Sequence, residues 1–291
     1  MAAKLDSGRK KWRLALLGQP VSQSLSPLIY EAAFAADDEA VSYLLCETEE
    51  AAVPAALIGL RARGFHGANV TIPHKQRVAR LIAALTPEAT LTGAVNCIEI
   101  RGGGHLVGHN TDVAGFLEPL APHLQSLHGH RALILGAGGA ALAVSMGLSQ
   151  IVGMNITVAA RRRKRSEEVV ERVCTGTSEG ISVADVDETR LKDYRLIVNA
   201  TPVGMHPLAD SSPLGDNAAF NAGQIVYDLI YSPAETRLIA TARLSGAEVI
   251  GGLPMLIGQA ANAYLIWTGR EMNRGAVLAH LGSTGKSSFL A

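Results

Sequence analysis

A glycine-rich turn between a short apolar run and an alanine-rich segment most constrains the fold of this chain. The run "RALIL" (131–135) leads into "GAGGAA" (136–141), and "NITVAA" (155–160) follows after one helix length. A strand, a tight turn, a helix and a second strand of these lengths form a βαβ unit, which pairs its strands in parallel. The sequence therefore predicts an α/β sheet rather than an all-β sandwich.

The residues of the turn also indicate a ligand. Gly136 would allow the tight turn, Gly138 would let the backbone approach a pyrophosphate, and Ala141 is small enough for helix and strand to pack. Gly139 and Ala140 begin the helix, whose free N–H groups would face the phosphates. A tight turn alone can require glycines, but the βαβ position favours a dinucleotide-binding domain.

The end of the second strand indicates which dinucleotide binds. An NAD site usually places an acidic residue there to hold the ribose 2′-OH. This strand ends in "AARRRKR", with Ala160 at that position and Arg161 next. Because a guanidinium group matches a 2′-phosphate bidentately, NADP(H) is the predicted cofactor. Arg161 and Arg165 are favoured and Arg162 is a further candidate; a nucleic-acid patch or a solvated helix start are the alternatives.

Composition argues against several classes of partner. Lys plus Arg and Asp plus Glu both number 26, so the net charge is zero, and neither nucleic acid nor a membrane surface is an expected partner. The cysteines Cys46, Cys97 and Cys174 are scattered and odd in number, which favours a reducing cytoplasm. The opening "MAAKLDSGRKKWR" does not read as a signal peptide.

Two uncharged stretches are long enough to span a bilayer. Residues 132–160 and 249–269 both contain glycine and polar residues, and the second contains Pro254, so they read better as buried α/β elements. His128 and His130 flank Gly129 without neighbouring cysteines or acids at metal-ligand spacing, so no metal is predicted.

A second alternation of strands and helices precedes the glycine turn. Ser26 and Pro27 predict a helix start, with serine as N-cap and proline at the first helical position. The predicted strands and hairpin arms of this part are 12–18, 41–47, 65–72, 94–100 and 105–110, with helices at 49–63 and 75–85. After the glycine turn, further strands are predicted at 195–200, 224–230 and 247–250, and helices at 164–173, 234–245, 254–268 and 272–281.

Two charged residues stand at the ends of predicted elements. Lys75 closes "NVTIPHK" (69–75) and Asp112 closes "GHNTD" (108–112). A carbonyl reduced by hydride transfer needs a proton donor, which a partly desolvated lysine beside a carboxylate can supply. On spacing alone, a surface charge for Lys75 and a helix cap for Asp112 are the better interpretations.

A series of motifs in fixed order changes that balance. They are "SQSLSP", "NVTIPHK", "GAVN", "GHNTD", "GAGGAA", "NATPVGM", "YDLIYSP-x-x-T" and "GLPMLIGQAA". Together they resemble the shikimate dehydrogenase family over residues 14–269. The resemblance implies reversible NADPH-dependent reduction of 3-dehydroshikimate to shikimate. It also implies two α/β domains: a substrate-binding domain of residues 1–112 and 253–291, and a Rossmann-type NADP-binding domain of residues 113–252, with C-terminal helices returning to the first.

The resemblance also assigns roles to individual residues. Lys75 and Asp112 would form the catalytic acid–base pair. The substrate would contact Ser24, Ser26, Asn69, Thr71, Asn96, Asp112, Tyr231 and Gln259. The cofactor would contact the glycine turn, the arginines after the second strand, and Asn199, Thr201, Val203, Gly252 and Met255. Each also has a structural reading, such as a helix cap for Ser26 or packing for Met255.

Some residues depart from the family pattern, and other functions stay open. "ARR" stands where "NRT" is frequent, Gln23 where histidine is frequent, and Cys97 where threonine follows the "AVN" asparagine. The alternatives are a quinate or dual quinate/shikimate dehydrogenase, an aminoshikimate relative and a non-catalytic NADPH sensor. The expected partner is a small-molecule substrate, and the protein is expected to be a monomer or homodimer.

Overall fold

The structure, a computed structural model, describes residues 11–174, 181–184, 190–215 and 218–284. These residues form two compact units. The first unit contains the described residues up to Thr111 and those from Ala260 onward, and the second spans Asp112–Gln259. Within the described part of the chain, no helix is both long enough and apolar enough to cross a bilayer.

The first unit is built on a mixed six-stranded sheet. Its strands are β1 (Lys11–Gly18), β2 (Ala40–Glu47), β3 (Gly67–Val70), β4 (Ala84–Leu85), β5 (Cys97–Arg101) and β6 (His105–His109). Their order is β2-β1-β3-β5-β6-β4. β1 pairs in parallel with β2 and β3, whereas β5 is antiparallel to both β3 and β6. The carboxyl ends of β1, β3 and β6 and the amino end of β5 therefore meet at one sheet edge.

Helices cover this sheet. They are α1 (Ser26–Ala36), α2 (Val53–Ala62), α3 (Lys75–Leu81), α4 (Pro87–Thr92), the C-terminal part of α10 (Leu253–Thr268) and α11 (Arg274–Ser283). The C-terminal helices return to this unit, as predicted, since α11 packs on α1. Trp267 of α10 donates from Nε1 to the carbonyl of Ile98 at 2.9 Å. A side chain at Gly67 would collide with that indole, so the glycine permits the close approach.

The second unit contains a wholly parallel sheet. Its strands are β7 (Arg131–Leu135), β8 (Asn155–Ala159), β9 (Ile181–Ala184), β10 (Leu196–Asn199), β11 (Ile225–Asp228) and β12 (Glu248–Ile250). Their order, β12-β11-β10-β7-β8-β9, is that of the doubly wound dinucleotide-binding fold. The strand order reverses between β7 and β10, and such folds bind ligands at the carboxyl ends of the strands flanking that point.

Helices of the second unit pack around this sheet. They are α5 (Asp112–Leu117), α6 (Leu124–Leu127), α7 (Gly139–Met146), α8 (Arg163–Cys174) and α9 (Arg237–Leu244), with the N-terminal part of α10. α7 continues into a π-helical turn at Gly147–Val152. Strand residues such as Leu133, Ile134 and Val198 are fully buried, which accounts for their nearly continuous apolar sequence.

The structure corrects several predicted elements. The helix predicted at 75–85 ends at Leu81, and the short strand β4 follows it. The elements α4, α5, α6 and β9 were not predicted, because three of them are one or two turns long and carry little periodicity. The prediction that Ser26 caps α1 is wrong: the N-cap residue is Leu25, and no side chain caps the helix. The domain boundaries at 112 and 252 remain a prediction.

Candidate active site and cofactor site

The polar motifs of the first unit converge on one edge of its sheet. "SQSLSP" follows the carboxyl end of β1, and "NVTIPHK" and "GHNTD" span the ends of β3 and β6. "GAVN" ends at Asn96, directly before β5. Because β5 runs antiparallel to β3 and β6, its amino end lies at the same edge.

Lys75 is the first residue of α3 and is half-buried. Its carbonyl oxygen accepts the Val95 N–H at 3.0 Å, which ties the start of α3 to the "GAVN" segment. The preceding His74 is fully buried, and its Nε2 lies 2.5 Å from the Thr48 carbonyl. His74 therefore has a structural contact that fixes the backbone leading into Lys75.

Asn96 and Asn69 are buried next to each other. The Asn96 carbonyl accepts Val70 N–H at 2.8 Å and Asn69 Nδ2 at 3.3 Å. The Asn96 amide bonds Thr111 twice, from Nδ2 to Oγ1 at 2.9 Å and from the Thr111 N–H to Oδ1 at 2.7 Å. Asn96 thereby orders Thr111, the residue that precedes Asp112.

Tyr43 was not identified from the sequence, although it joins this polar group. Its hydroxyl donates to Asn69 Oδ1 at 2.8 Å. Burial raises the pKa of Tyr43, and a hydrogen bond with Ser26 opposes that rise. A tyrosine in a strand is an ordinary core residue by pattern, so only the tertiary contacts distinguish it.

The two serines contact each other rather than capping the helix. Ser24 Oγ lies 3.1 Å from Ser26 Oγ and accepts the Ser26 N–H at 3.2 Å. Both hydroxyls thus belong to one small polar cluster, with Ser26 buried and Ser24 half-buried. Thr71, half-buried at the same edge, is held through its N–H, which donates to Leu17 at 2.8 Å.

The second unit carries the remaining predicted substrate residues. Asp112 is 4% exposed and begins α5. Gln259 lies on α10, where Nε2 donates to the Leu256 carbonyl at 2.9 Å. α10 approaches α5 closely, since a side chain at Gly115 would stand 2.6 Å from the Gln259 nitrogen. Tyr231 follows β11, and burial raises its pKa. The structure thus places Asp112 and Gln259 on two helices in contact.

The glycine turn occupies the carboxyl end of β7. Gly136 has φ 109°, a backbone conformation that other residues rarely adopt. Gly138 is the N-cap of α7, and a side chain there would meet no atom within 4 Å. The N–H groups of α7 at Gly139 and Ala140 have no intrahelical acceptor at this end. An open approach to unpaired N–H groups fits a pyrophosphate.

The arginines follow β8, the neighbour of β7. Arg161, Arg162 and Arg165 are all exposed. Arg165 pairs with Glu168 at 3.2 Å and Arg163 with Glu167 at 3.2 Å along α8. Because β7 and β8 are parallel neighbours, Arg161 lies at the same sheet edge as the glycine turn. Arg161 is therefore better placed for a 2′-phosphate than Arg165.

The loop after β10 packs directly on the glycine turn. A side chain at Gly136 would stand 2.9 Å from the Ala200 carbonyl oxygen and 3.1 Å from the Thr201 methyl group. Asn199 holds this loop: Oδ1 accepts the N–H and hydroxyl of Thr201 at 3.0 and 2.7 Å, and Nδ2 donates to the Val203 carbonyl at 3.1 Å. The side chain of Asn199 is thus engaged in holding the loop.

Gly252 and Met255 lie at the start of α10. Gly252 donates its N–H to the Ile230 carbonyl at 3.1 Å, and a side chain there would overlap the Leu229 backbone. Met255 is 8% exposed and packs in the core cluster of the second unit with Phe116 and Tyr227. Gly252 therefore sets a close backbone approach, and Met255 has a packing role in addition to any contact with cofactor.

Asp228 is a buried carboxylate that sequence reasoning left without a role. Burial raises its pKa to about 6, while hydrogen bonds from Thr236, Ile230 and Asn199 oppose that rise. It ends β11 within the motif "YDLIYSP-x-x-T". The signal that could have found it resembles the one for Lys75: a charged residue at or shortly after the end of an apolar strand.

The raised pKa predicts how stability depends on pH. The folded protein binds the Asp228 proton more tightly than the unfolded chain, whose carboxyl group has a pKa near 3.8. Protonation of Asp228 therefore stabilises the folded state. This contribution to the free energy of unfolding is complete below about pH 4 and is lost as the pH rises through about 6. Two pKa units correspond to roughly 3 kcal/mol. The free energy of unfolding of wild type should fall relative to Asp228→Asn between pH 4.5 and about 7.5, measured by urea titration.

Asp210→Asn provides the control for this pH effect, because it removes an exposed carboxylate from the same unit. An Asp228→Asn difference from wild type that is equal at both pH values would contradict the assignment. The described residues contain no group of three or more His, Cys, Asp or Glu side chains that could hold a metal ion.

Comparisons with known proteins decide the family. A model of the shikimate dehydrogenase substrate binding domain matches residues 16–98, and a model of the shikimate 5′-dehydrogenase C-terminal domain matches residues 252–281. Shikimate dehydrogenase (NADP(+)) of Salinibacter ruber is 44% identical over 270 residues, covering 91% of this chain and 94% of that protein. The chain belongs to the shikimate dehydrogenase family. The enzyme of the same name from Moorella thermoacetica is 41% identical over 262 residues, covering 89% of this chain and 88% of that protein.

Solved structures of the family share the fold. A shikimate dehydrogenase crystallised with NADP+ has a TM-score of 0.88 and 32% identity, covering 94% of this chain and 96% of that one. The Thermus thermophilus enzyme with NADP(H) and shikimate has a TM-score of 0.80 and 33% identity, covering 92% and 98%. A quinate dehydrogenase from Corynebacterium glutamicum with NAD has a TM-score of 0.84 and 30% identity, covering 94% of this chain and 100% of that one. The predicted two-domain α/β fold is confirmed.

Proposed function

We propose that this protein catalyses the reversible NADPH-dependent reduction of 3-dehydroshikimate to shikimate. The observation that carries the proposal is the polar sheet edge of the first unit, where four family motifs converge around Lys75. Relatives at 34–44% identity are named shikimate dehydrogenase (NADP(+)). The reaction belongs to the shikimate pathway, which leads to the aromatic amino acids.

The proposed chemistry assigns Lys75 and Asp112 to proton transfer. Bound NADPH supplies the hydride that reduces the C3 carbonyl. Lys75 gives a proton to the C3 oxygen in this direction and takes it back in the reverse direction. Asp112 fixes the direction and charge of the lysine and holds a ring hydroxyl. The backbone contacts of Lys75 and Thr111 support this assignment, because they order the segments that carry both groups.

Uncharged side chains recognise the rest of the substrate. Ser24 and Ser26 bind the carboxylate through their paired hydroxyls, and Tyr231 lines that side. The ring hydroxyls contact Thr71, Asn96 and Gln259, while Asn69 holds the Asn96 backbone. A substrate without the matching hydroxyls would leave buried amides unpaired, which is the basis of strong discrimination.

The cofactor contacts lie in the second unit. Gly138, Gly139 and Ala140 receive the pyrophosphate at the start of α7, and Arg161 pairs with the 2′-phosphate, with Arg162 as a second partner. The loop through Thr201 and Val203, together with Gly252 and Met255, faces the nicotinamide end. The open approach at Gly138 and the exposure of Arg161 support these assignments.

The rival activity is oxidation of quinate. Its support is the similarity to the quinate dehydrogenase crystallised with NAD. Ala160 and Arg161 at the end of the second strand argue for NADP instead, since no acidic residue is there to hold a 2′-OH. Initial rates with shikimate and quinate, each with NADP and NAD, test the two activities. Shikimate with NADP should be far ahead of the other three pairings.

Arg161→Ala tests the cofactor contact separately. Loss of a charged partner for the 2′-phosphate should raise the KM for NADP about tenfold or more and leave the KM for NAD unchanged. Arg163→Ala is the matched control, because Arg163 is equally exposed but pairs with Glu167. Equal effects of the two substitutions on the KM for NADP would exclude a specific role for Arg161. In the wild-type rate measurements, faster turnover of quinate than of shikimate would instead indicate a quinate dehydrogenase.

The proposal also includes a cytoplasmic location. The scattered cysteines suit the reducing cytoplasm. The protein is proposed to act as a monomer or a homodimer, which light scattering after size-exclusion chromatography distinguishes.

A further inference from the structure

The carboxyl end of β11 carries a buried charge for which the reaction has no use. Asp228 is fully buried, and its carboxylate accepts three hydrogen bonds. Oδ1 accepts from Asn199 Nδ2 at 2.9 Å and from the Ile230 N–H at 3.1 Å, and Oδ2 accepts from the Thr236 hydroxyl at 2.6 Å. The carboxylate therefore connects the end of β10, the segment after β11 and the start of α9.

Asn199 passes this connection on to the loop after β10. Its Nδ2 bonds both Asp228 and the Val203 carbonyl, and its Oδ1 accepts both donors of Thr201. Thr201 Oγ1 in turn accepts the Val203 N–H at 3.1 Å. An amide can rotate by half a turn and exchange its oxygen and nitrogen. Asp228 accepts only, so it favours the amide orientation in which Nδ2 faces Asp228 and the Val203 carbonyl while Oδ1 faces Thr201.

The loop held in this way contacts the glycine turn. The Ala200 carbonyl and the Thr201 methyl group lie against Gly136, leaving no room for a side chain there. On its other side, Gly204 packs against Ile230 and Thr236, which are both partners of Asp228. The loop is thus fixed between the glycine turn and the segment that follows β11.

We propose that Asp228 is a positioning residue for the cofactor: by orienting Asn199, it holds the loop at 200–204 against the glycine turn in the conformation that binds NADP(H). The inference rests on the proposed function and deepens its cofactor site. Asp228 is not among the residues proposed to contact the substrate or the reacting atoms. Its effect reaches the cofactor through Asn199 and Thr201.

The opposite end of the same strand offers a matched control. Gln224, directly before β11, is 3% exposed and also makes three hydrogen bonds. Its Nε2 donates to Leu191 and Tyr194 carbonyls at 2.6 and 2.8 Å, and its Oε1 accepts the Asn221 N–H at 2.9 Å. Gln224→Ala therefore removes a comparable buried polar group from the residue before β11 without touching the loop.

The test measures NADPH binding by nicotinamide fluorescence, together with melting temperature and KM values. Asp228→Ala should raise the Kd for NADPH about tenfold or more, because Asn199 loses a charged acceptor and the loop its fixed conformation. The KM for shikimate should stay within about twofold, since Asp228 has no part in substrate contacts. Asp228→Asn keeps an acceptor oxygen for Asn199 and should restore most of the affinity. Gln224→Ala should lower the melting temperature with the Kd unchanged.

A double-mutant cycle tests the route through Asn199. If Asp228 acts through that amide, Asp228→Ala combined with Asn199→Ala should bind NADPH no more weakly than Asn199→Ala alone. Additive losses would overturn the proposed route. Equal Kd changes in Asp228→Ala and Gln224→Ala, or wild-type affinity in Asp228→Ala, would overturn the positioning role. Failure of the proposed function is a separate result: wild-type protein that binds NADPH but turns over neither shikimate nor quinate.

Discussion

Lys75→Ala should lower kcat for shikimate oxidation by about a hundredfold to ten-thousandfold, the range expected when a general acid–base group is removed. Lys75 begins α3 in the first unit, whereas the glycine turn and Arg161 belong to the second. The Kd for NADPH should therefore remain within about twofold of wild type. Stopped-flow or steady-state rates, with fluorescence titration of NADPH, measure both quantities.

Arg80→Ala is the control for this substitution. Arg80 is an exposed cation on the same helix, so its removal changes the charge of α3 equally. Near wild-type turnover in Lys75→Ala would show that the lysine is not the proton donor. Loss of both turnover and NADPH binding in Lys75→Ala would indicate misfolding. Circular dichroism of both variants distinguishes a misfolded protein from a folded one that lacks its proton donor. Intact binding without turnover is also the result that a non-catalytic sensor would show in wild-type protein.

Gly136→Ala should lower the free energy of unfolding by at least about 2 kcal/mol and abolish detectable NADPH binding. The positive φ is strained for alanine, and its methyl group would press on the Ala200 carbonyl oxygen at 2.9 Å. Relief of that contact would displace the loop after β10 or the turn itself. Chemical denaturation and fluorescence titration report the two effects.

Gly138→Ala separates backbone strain from ligand approach. Gly138 has φ −95°, and its added methyl group would enter open space, so stability should change little. Weaker NADPH binding in this variant would then come from the methyl group standing where the pyrophosphate approaches. Unchanged binding in Gly138→Ala would remove that residue from the cofactor site. Unchanged stability in Gly136→Ala would contradict the described turn.

The parallel sheet of the second unit could be predicted because its determinants are local. Apolar runs such as "RALIL" and the glycines at 136–139 each specify a strand or a turn within a few residues, and their order then allows one common topology. Ala160 and Arg161 indicated the cofactor for the same reason, since the end of the second strand has a fixed place in that topology. The polar residues at strand ends, Lys75 among them, could likewise be located.

The short elements and the contacts of individual polar side chains could not be predicted in the same way. Ser26 was predicted to cap its helix because serine before proline is a common start signal, yet Ser24 lies close enough to bond it. Tyr43 lies in a strand and looks like a core residue until its hydroxyl meets Asn69. Ser24 is a close neighbour in sequence, whereas Tyr43 and Asn69 come from different strands. A one-dimensional pattern does not show which of these polar groups will meet.

The fold class, the family resemblance and the edge of each sheet where chemistry is expected were thus predictable from local sequence patterns. Which polar groups hold one another depends on how the chain packs. Asp228 shows the physical reason. Its carboxylate is acceptable in the interior because Asn199, Ile230 and Thr236 each donate to it, and Asn199 comes from a neighbouring strand 29 positions away in sequence. Burial and hydrogen-bond satisfaction are properties of the assembled chain, so they follow from packing and not from spacing along the sequence.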